Sequence, residues 1–124
     1  MAEGKGAYTA ALAALDTGGG VLSLLNPEGV DLIITRLVLD VTTVATAACT
    51  LDAGVAAAAT TSNDTLIDGL DVNAATGVFG NIDDQGTNGQ SVIRWESDYY
   101  LTISMKTGAA AGLVGNGYIE YIRI

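Results

Sequence analysis

A chain of 124 residues with 49% hydrophobic and 15% charged residues is long enough for one domain with a core, and it is too apolar for intrinsic disorder. Its 14 Asp and Glu against 5 Lys and Arg give a net charge of −9, which suits solubility at high copy number and excludes the basic footprint that DNA or RNA binding needs. No histidine is present, so the commonest general base and metal ligand is missing, and the single Cys49 excludes an internal disulfide.

The first segment, residues 1–20, reads as an arm rather than as part of the domain. It has no apolar stretch behind a basic start, so no secretory signal is expected, and no run in the chain reaches membrane-spanning length. Tyr8, Leu12 and Leu15 are its only bulky apolar residues. Their spacings of four and three predict a short helix over 8–15, with an extended arm as the other option. Gly18, Gly19 and Gly20 then make a hinge, so the arm is expected to be mobile until a partner orders it.

A β-sandwich domain is expected over 21–124. Residues 21–26 form a short apolar strand, closed by a turn at Asn26-Pro27-Glu28-Gly29. The longest strand is predicted over 31–42. Strict alternation puts Ile33, Thr35, Leu37, Leu39 and Val41 on one face, and Leu32, Ile34 and Val38 on the other with Arg36 and Asp40. A strand apolar on both faces must be covered twice, so Leu32, Ile34 and Val38 are assigned to a subunit interface in a homo-oligomer.

Cys49 and Leu51 fall on the apolar side of the next strand, over 49–55, where a buried, inert thiol is expected. Leu66, Ile67 and Leu70 form an apolar patch after a Thr- and Ala-rich connector. A long loop over 72–89 follows, with Val78, Phe79 and Ile82 as anchors, and then a strand over 91–95. Tyr99, Leu101, Ile103 and Met105 alternate with Tyr100, Thr102, Ser104 and Lys106, the pattern of a sheet with one wet side. A loop of small residues leads to a last strand over 118–124, and the two final strands read as a hairpin. Six to eight short strands about ten residues apart predict an all-β sandwich or jelly roll.

The chemistry-bearing residues are few. Asp64, Asp68, Asp71, Asp83 and Asp84 are the only candidates for carboxylate catalysis or for calcium, but their spacing fits no EF-hand and solvated loop carboxylates suffice. No catalytic residue, metal site or cofactor is assigned. The four tyrosines at 99, 100, 118 and 121 suit either cross-strand packing or an interface.

Three stretches resemble small β-sandwich proteins that decorate the heads of tailed bacteriophages: Trp95-Glu-Ser-Asp-Tyr-Tyr-Leu-Thr-Ile-Ser, Ala110-Ala-Gly-Leu-Val-Gly115 and Tyr118-Ile-Glu-Tyr-Ile. The stretch from Asn26 to Asp40 and Leu66-Ile-Asp-Gly-Leu-Asp71 are similar to the same group. The resemblance covers about residues 21–124. It implies a jelly-roll-like sandwich made in the host cytoplasm that ends up on the virion surface. It also implies binding to the major capsid protein, with trimers as the common assembly, and contact with neither nucleic acid nor membrane. The arm with Tyr8, Leu12 and Leu15 is then expected to clamp the subunit to the capsid. The alternative reading is a carbohydrate- or receptor-binding jelly roll of a phage fibre or cell surface, with Trp95, Phe79 and the tyrosines as its aromatic supply.

Overall fold

The computed structural model describes residues 4–14 and 20–124, and among these it is all strand, turn and loop. The strands are β1 (Gly4–Ala13), β2 (Gly20–Leu25), β3 (Leu32–Thr43), β4 (Cys49–Ala56), β5 (Ile67–Asp71), β6 (Gly77–Gly80), β7 (Ile93–Trp95), β8 (Tyr100–Gly108) and β9 (Val114–Arg123). Every pairing is antiparallel. One sheet runs β1-β9-β3-β6, with the short β7 also paired to β3, and the other runs β2-β8-β4-β5. With β7 set aside, this interleaving of two four-stranded sheets is the jelly-roll order, as expected from the strand spacing. The core lies between the sheets, where Leu32, Ile34, Leu37, Leu39, Leu51, Ile67, Trp95, Leu101 and Ile103 are fully enclosed.

The N-terminal segment corrects the sequence reading. Instead of a helix or a loose arm, residues 4–13 form a ten-residue strand paired in unbroken register with β9, from Gly4 opposite Arg123 to Ala13 opposite Val114. Leu12 is a core residue at 1% exposure, so the sandwich begins at β1 and not at residue 21. A spacing of four places Tyr8 and Leu12 on one face of a helix and also on one face of a strand, because four is even. Leu15, Gly18 and Gly19 lie outside the described residues.

The long strand β3 corrects a second expectation. Leu32 and Ile34 are not on an outer face: both are 0% exposed, on the same side as Leu37, Leu39 and Val41. The register against β9 shifts between Ile34 and Arg36, the mark of a β-bulge, and the extra residue turns the alternation over by one step. Ile33 and Val38 are left on the outer side, half-buried. The strand that argued for an oligomer is therefore a bulged strand, with its large apolar run on the core side and only Ile33 and Val38 among apolar residues outside.

Asn81 supports β3 just after that bulge. Beside residues 35–37, β3 has lost β7 on one side and has not yet met β6, so its backbone lacks a strand partner there. Asn81 fills the gap: its Oδ1 accepts from the Leu37 N–H at 2.8 Å, and its own N–H donates to the Leu37 carbonyl at 3.0 Å. Its Nδ2 donates to the carbonyls of Gln90 and Ser91, so a fully buried amide has all its groups paired.

The last two strands are not a hairpin. β8 belongs to one sheet and β9 to the other, so the Ala- and Gly-rich link between them crosses from sheet to sheet. Their alternation is as expected on the inner side, with Leu101 and Ile103 buried and Tyr99 and Met105 packed against the core.

Candidate functional site

The two outer faces of the sandwich differ. Over the β2-β8-β4-β5 sheet, residues 57–65 fold back as a cover. Thr102 Oγ1 on β8 donates to the Thr61 carbonyl at 2.9 Å, Ser104 Oγ donates to Ser62 Oγ at 2.7 Å, and Ser23 Oγ on β2 donates to the Ala59 carbonyl at 2.8 Å. Gly54 is required beneath this cover, because a Cβ there would run into Thr65 and the Asn63 backbone. The outward-pointing Thr102 is accordingly buried.

The outer face of the β1-β9-β3-β6 sheet has no such cover among the described residues. Residues directly opposite in antiparallel strands share a face, so the registers lay it out in rows. One row is Thr9, Tyr118, Val38 and Gly80; the next is Ala11, Asn116, Asp40 and Val78. On the other side come Ala7, Glu120 and Arg36, then Lys5, Ile122, Ile33 and Arg94. Small side chains on β1 and Gly80 in the Tyr118 row keep this surface low. Tyr118 and Val78 stand out from it at 42% and 70% exposure.

Charge divides the same way. Lys5 and Arg36 on this face balance Asp40 and Glu120, while Arg94 is held by Asp31 at 3.3 Å. The face is therefore neutral on a chain of net charge −9. The excess acid collects around β4, β5 and the loop before β7, where Lys106 is the counter-ion to Asp68.

Four of the five sequence-predicted acids are occupied by local structure, and the fifth, Asp83, is exposed. Asp68 takes the Lys106 ammonium, whose hydrogen bond holds its carboxyl below the usual range. Asp64 accepts from Asn88 Nδ2 at 2.9 Å, Asp84 accepts from the Gly80 N–H at 3.1 Å, and Asp71 caps the N–H groups of Asn73 and Ala74. Burial pushes the neighbouring Asp52 up, against the pull of Lys106. Among the described residues no three such side chains group closely enough to hold a metal ion. Cys49 is buried, and desolvation raises its thiol pKa further from the reactive range.

The aromatic residues are dispersed. Trp95 is fully buried, its Nε1 donates to the Tyr99 carbonyl at 3.0 Å, and its ring meets Tyr121 edge-on at 6.5 Å. Phe79 packs against the core. Tyr8 and Tyr118 are both exposed, but Tyr8 pairs with core-facing Ile119 and so lies on the opposite side of the sheet from Tyr118. A shallow, open recess of about 300 Å³ lies between Val55, Thr65, Ile93, Arg94, Glu96 and Tyr99, at the edge far from β1.

A second cluster ties the N-terminal strand down. Glu28 Oε2, in the turn before β3, accepts from Tyr121 Oη at 2.6 Å and from Arg123 Nη2 at 2.9 Å, while Arg123 Nη1 donates to the Lys5 carbonyl at 2.8 Å. Gly6 lies against the Tyr121 ring and the Arg123 head, where any Cβ would collide.

These features define a jelly-roll β-sandwich with one covered and one bare face. No protein family, no curated protein and no solved structure matches the chain. Sequence reasoning missed the bare face because it depends on which sheet each strand joins. Its one legible trace was the Thr- and Ala-rich stretch that became the cover of the other sheet.

Proposed function

We propose that this protein is a virion structural subunit that decorates the outside of a tailed-phage capsid, with the bare face of the β1-β9-β3-β6 sheet seated on the major capsid protein. The observation that carries the reading is the contrast between faces. A neutral sheet surface with protruding Tyr118 and Val78 is suited to docking, whereas the acidic remainder of the molecule faces solvent and keeps decorated particles apart. The sequence resemblance supports the choice of a capsid as the partner. The jelly roll itself does not discriminate, since it serves viral coats and lectins alike.

A glycan-binding module stacks sugars on exposed aromatic rings. Trp95 is buried instead, and the two exposed rings, Tyr8 and Tyr118, stand on opposite sides of the sheet. The test is co-sedimentation with undecorated capsids of the phage that encodes the chain. Wild type should pellet saturably, and Tyr118→Glu should bind at least about tenfold more weakly, as expected for an aromatic anchor at an interface centre. Equal pelleting of wild type and variant, or binding to a glycan array with none to the capsid, overturns the reading.

A further inference from the structure

The sandwich blunts each of its strand edges except one. β2 is short and its register breaks between Gly20 and Leu22. β5 has five residues and carries Asp68 and Asp71, and β6 and β7 have four and three. β1 is different: it has ten residues, no proline, no bulge in its ladder, no acidic residue, and one lysine near its end. Among the described residues its outer edge is an unpaired row of backbone donors and acceptors about 34 Å long, the kind of edge that natural sheets otherwise interrupt.

The side chains of β1 are complementary to themselves. When a second β1 is laid antiparallel with Thr9 opposite Thr9 of the copy, the core-side series Gly6, Tyr8, Ala10, Leu12 meets its own reverse. Gly6 then faces Leu12 and Tyr8 faces Ala10, so a large residue meets a small one at every position. On the outer side Ala7 faces Ala11, Lys5 faces Ala13, and the two Thr9 hydroxyls form a favourable cross-strand pair. No acid meets an acid along this seam, whereas pairing two β5 edges would bring Asp68 and Asp71 together. Tyr8, 41% exposed although it lies on the core side, would gain a neighbour.

We infer that β1 is a homodimerisation edge, pairing with β1 of a second copy about a two-fold axis at Thr9 to make one sheet continuous across both copies. This stands on the edge alone and not on what the outer face docks to. Sedimentation analysis of the full chain at micromolar concentration should give twice the 12.6 kDa chain mass. Thr9→Lys and Thr9→Glu should each be monomeric with unchanged circular dichroism, because like charges then stand opposite across the axis, and an equimolar mixture of the two should recover the dimer. Under oxidation Thr9→Cys should give a covalent dimer, and Ala7→Cys, whose copies lie four residues apart along the seam, should not. A monomeric or trimeric wild type, a dimer that survives both charged substitutions, or equal cross-linking at positions 7 and 9 overturns the inference.

Discussion

At the scale of single residues, a few polar side chains set the backbone route. Asn26 is 5% exposed; its Oδ1 accepts the N–H groups of Glu28 and Gly29, and its Nδ2 reaches the carbonyls of Val30, Trp95 and Glu96. The turn before β3 is thereby fixed to the end of β7, and Glu28 is aimed at Tyr121 and Arg123. The Arg123 hydrogen bond, then that from Tyr121, holds the Glu28 carboxyl below the usual range. A carboxyl lowered by folding contributes stability above its unfolded pKa, and that contribution disappears as pH falls through the folded value. The melting temperature of Glu28→Gln should therefore trail wild type by its full margin at pH 7, and the margin should close below about pH 4. A margin that stays constant from pH 7 to pH 3 would show that the charge on Glu28 does not hold the cluster together. Asn26 read in the sequence as a turn residue and Asn81 lay within the long loop over 72–89, and only the fold shows both as buried amides that pair otherwise unpartnered backbone groups.

At the scale of elements, legibility followed the regularity of the pattern. β8 alternates with large apolar residues on one side, so its inner face was plain. β3 holds more apolar residues, but its bulge reverses the phase at residue 35, and a period-two reading carried across it sends Leu32 and Ile34 to the wrong face. β1 gave no alternation because most of its residues are Gly and Ala, and its Tyr8–Leu12 spacing fits helix and strand equally. The mobile arm expected from the sequence is thus a structural strand, and truncation tests the difference. Removing residues 2–20 takes away a strand paired along all of β9, and the shortened chain should unfold at a much lower temperature or fail to fold. Leu12→Ala should cost about 2–5 kcal/mol in chemical denaturation, the range for an enclosed leucine. A loss below about 0.5 kcal/mol would mean that β1 is not part of the cooperative unit.

At the scale of the molecule, the all-β class was legible from turn spacing, whereas the six to eight strands expected fall short of the nine among the described residues and the partition into sheets was not legible at all. Sheet membership depends on contacts between residues far apart in sequence, such as β1 with β9, and no local pattern encodes it. That partition decides the function proposed here, because it places the neutral rows around Tyr118 on one side and the self-covered sheet on the other. A β1 dimer would double the neutral surface and present it as one continuous sheet, giving a docking face with two copies of each anchor. Electron cryo-microscopy of decorated capsids tests this most directly. The expected density has the sheet bearing Thr9, Tyr118 and Val38 against the shell and residues 57–65 pointing to solvent; density with the 57–65 side on the shell, or capsids that remain bare at saturating protein, would overturn the proposed docking.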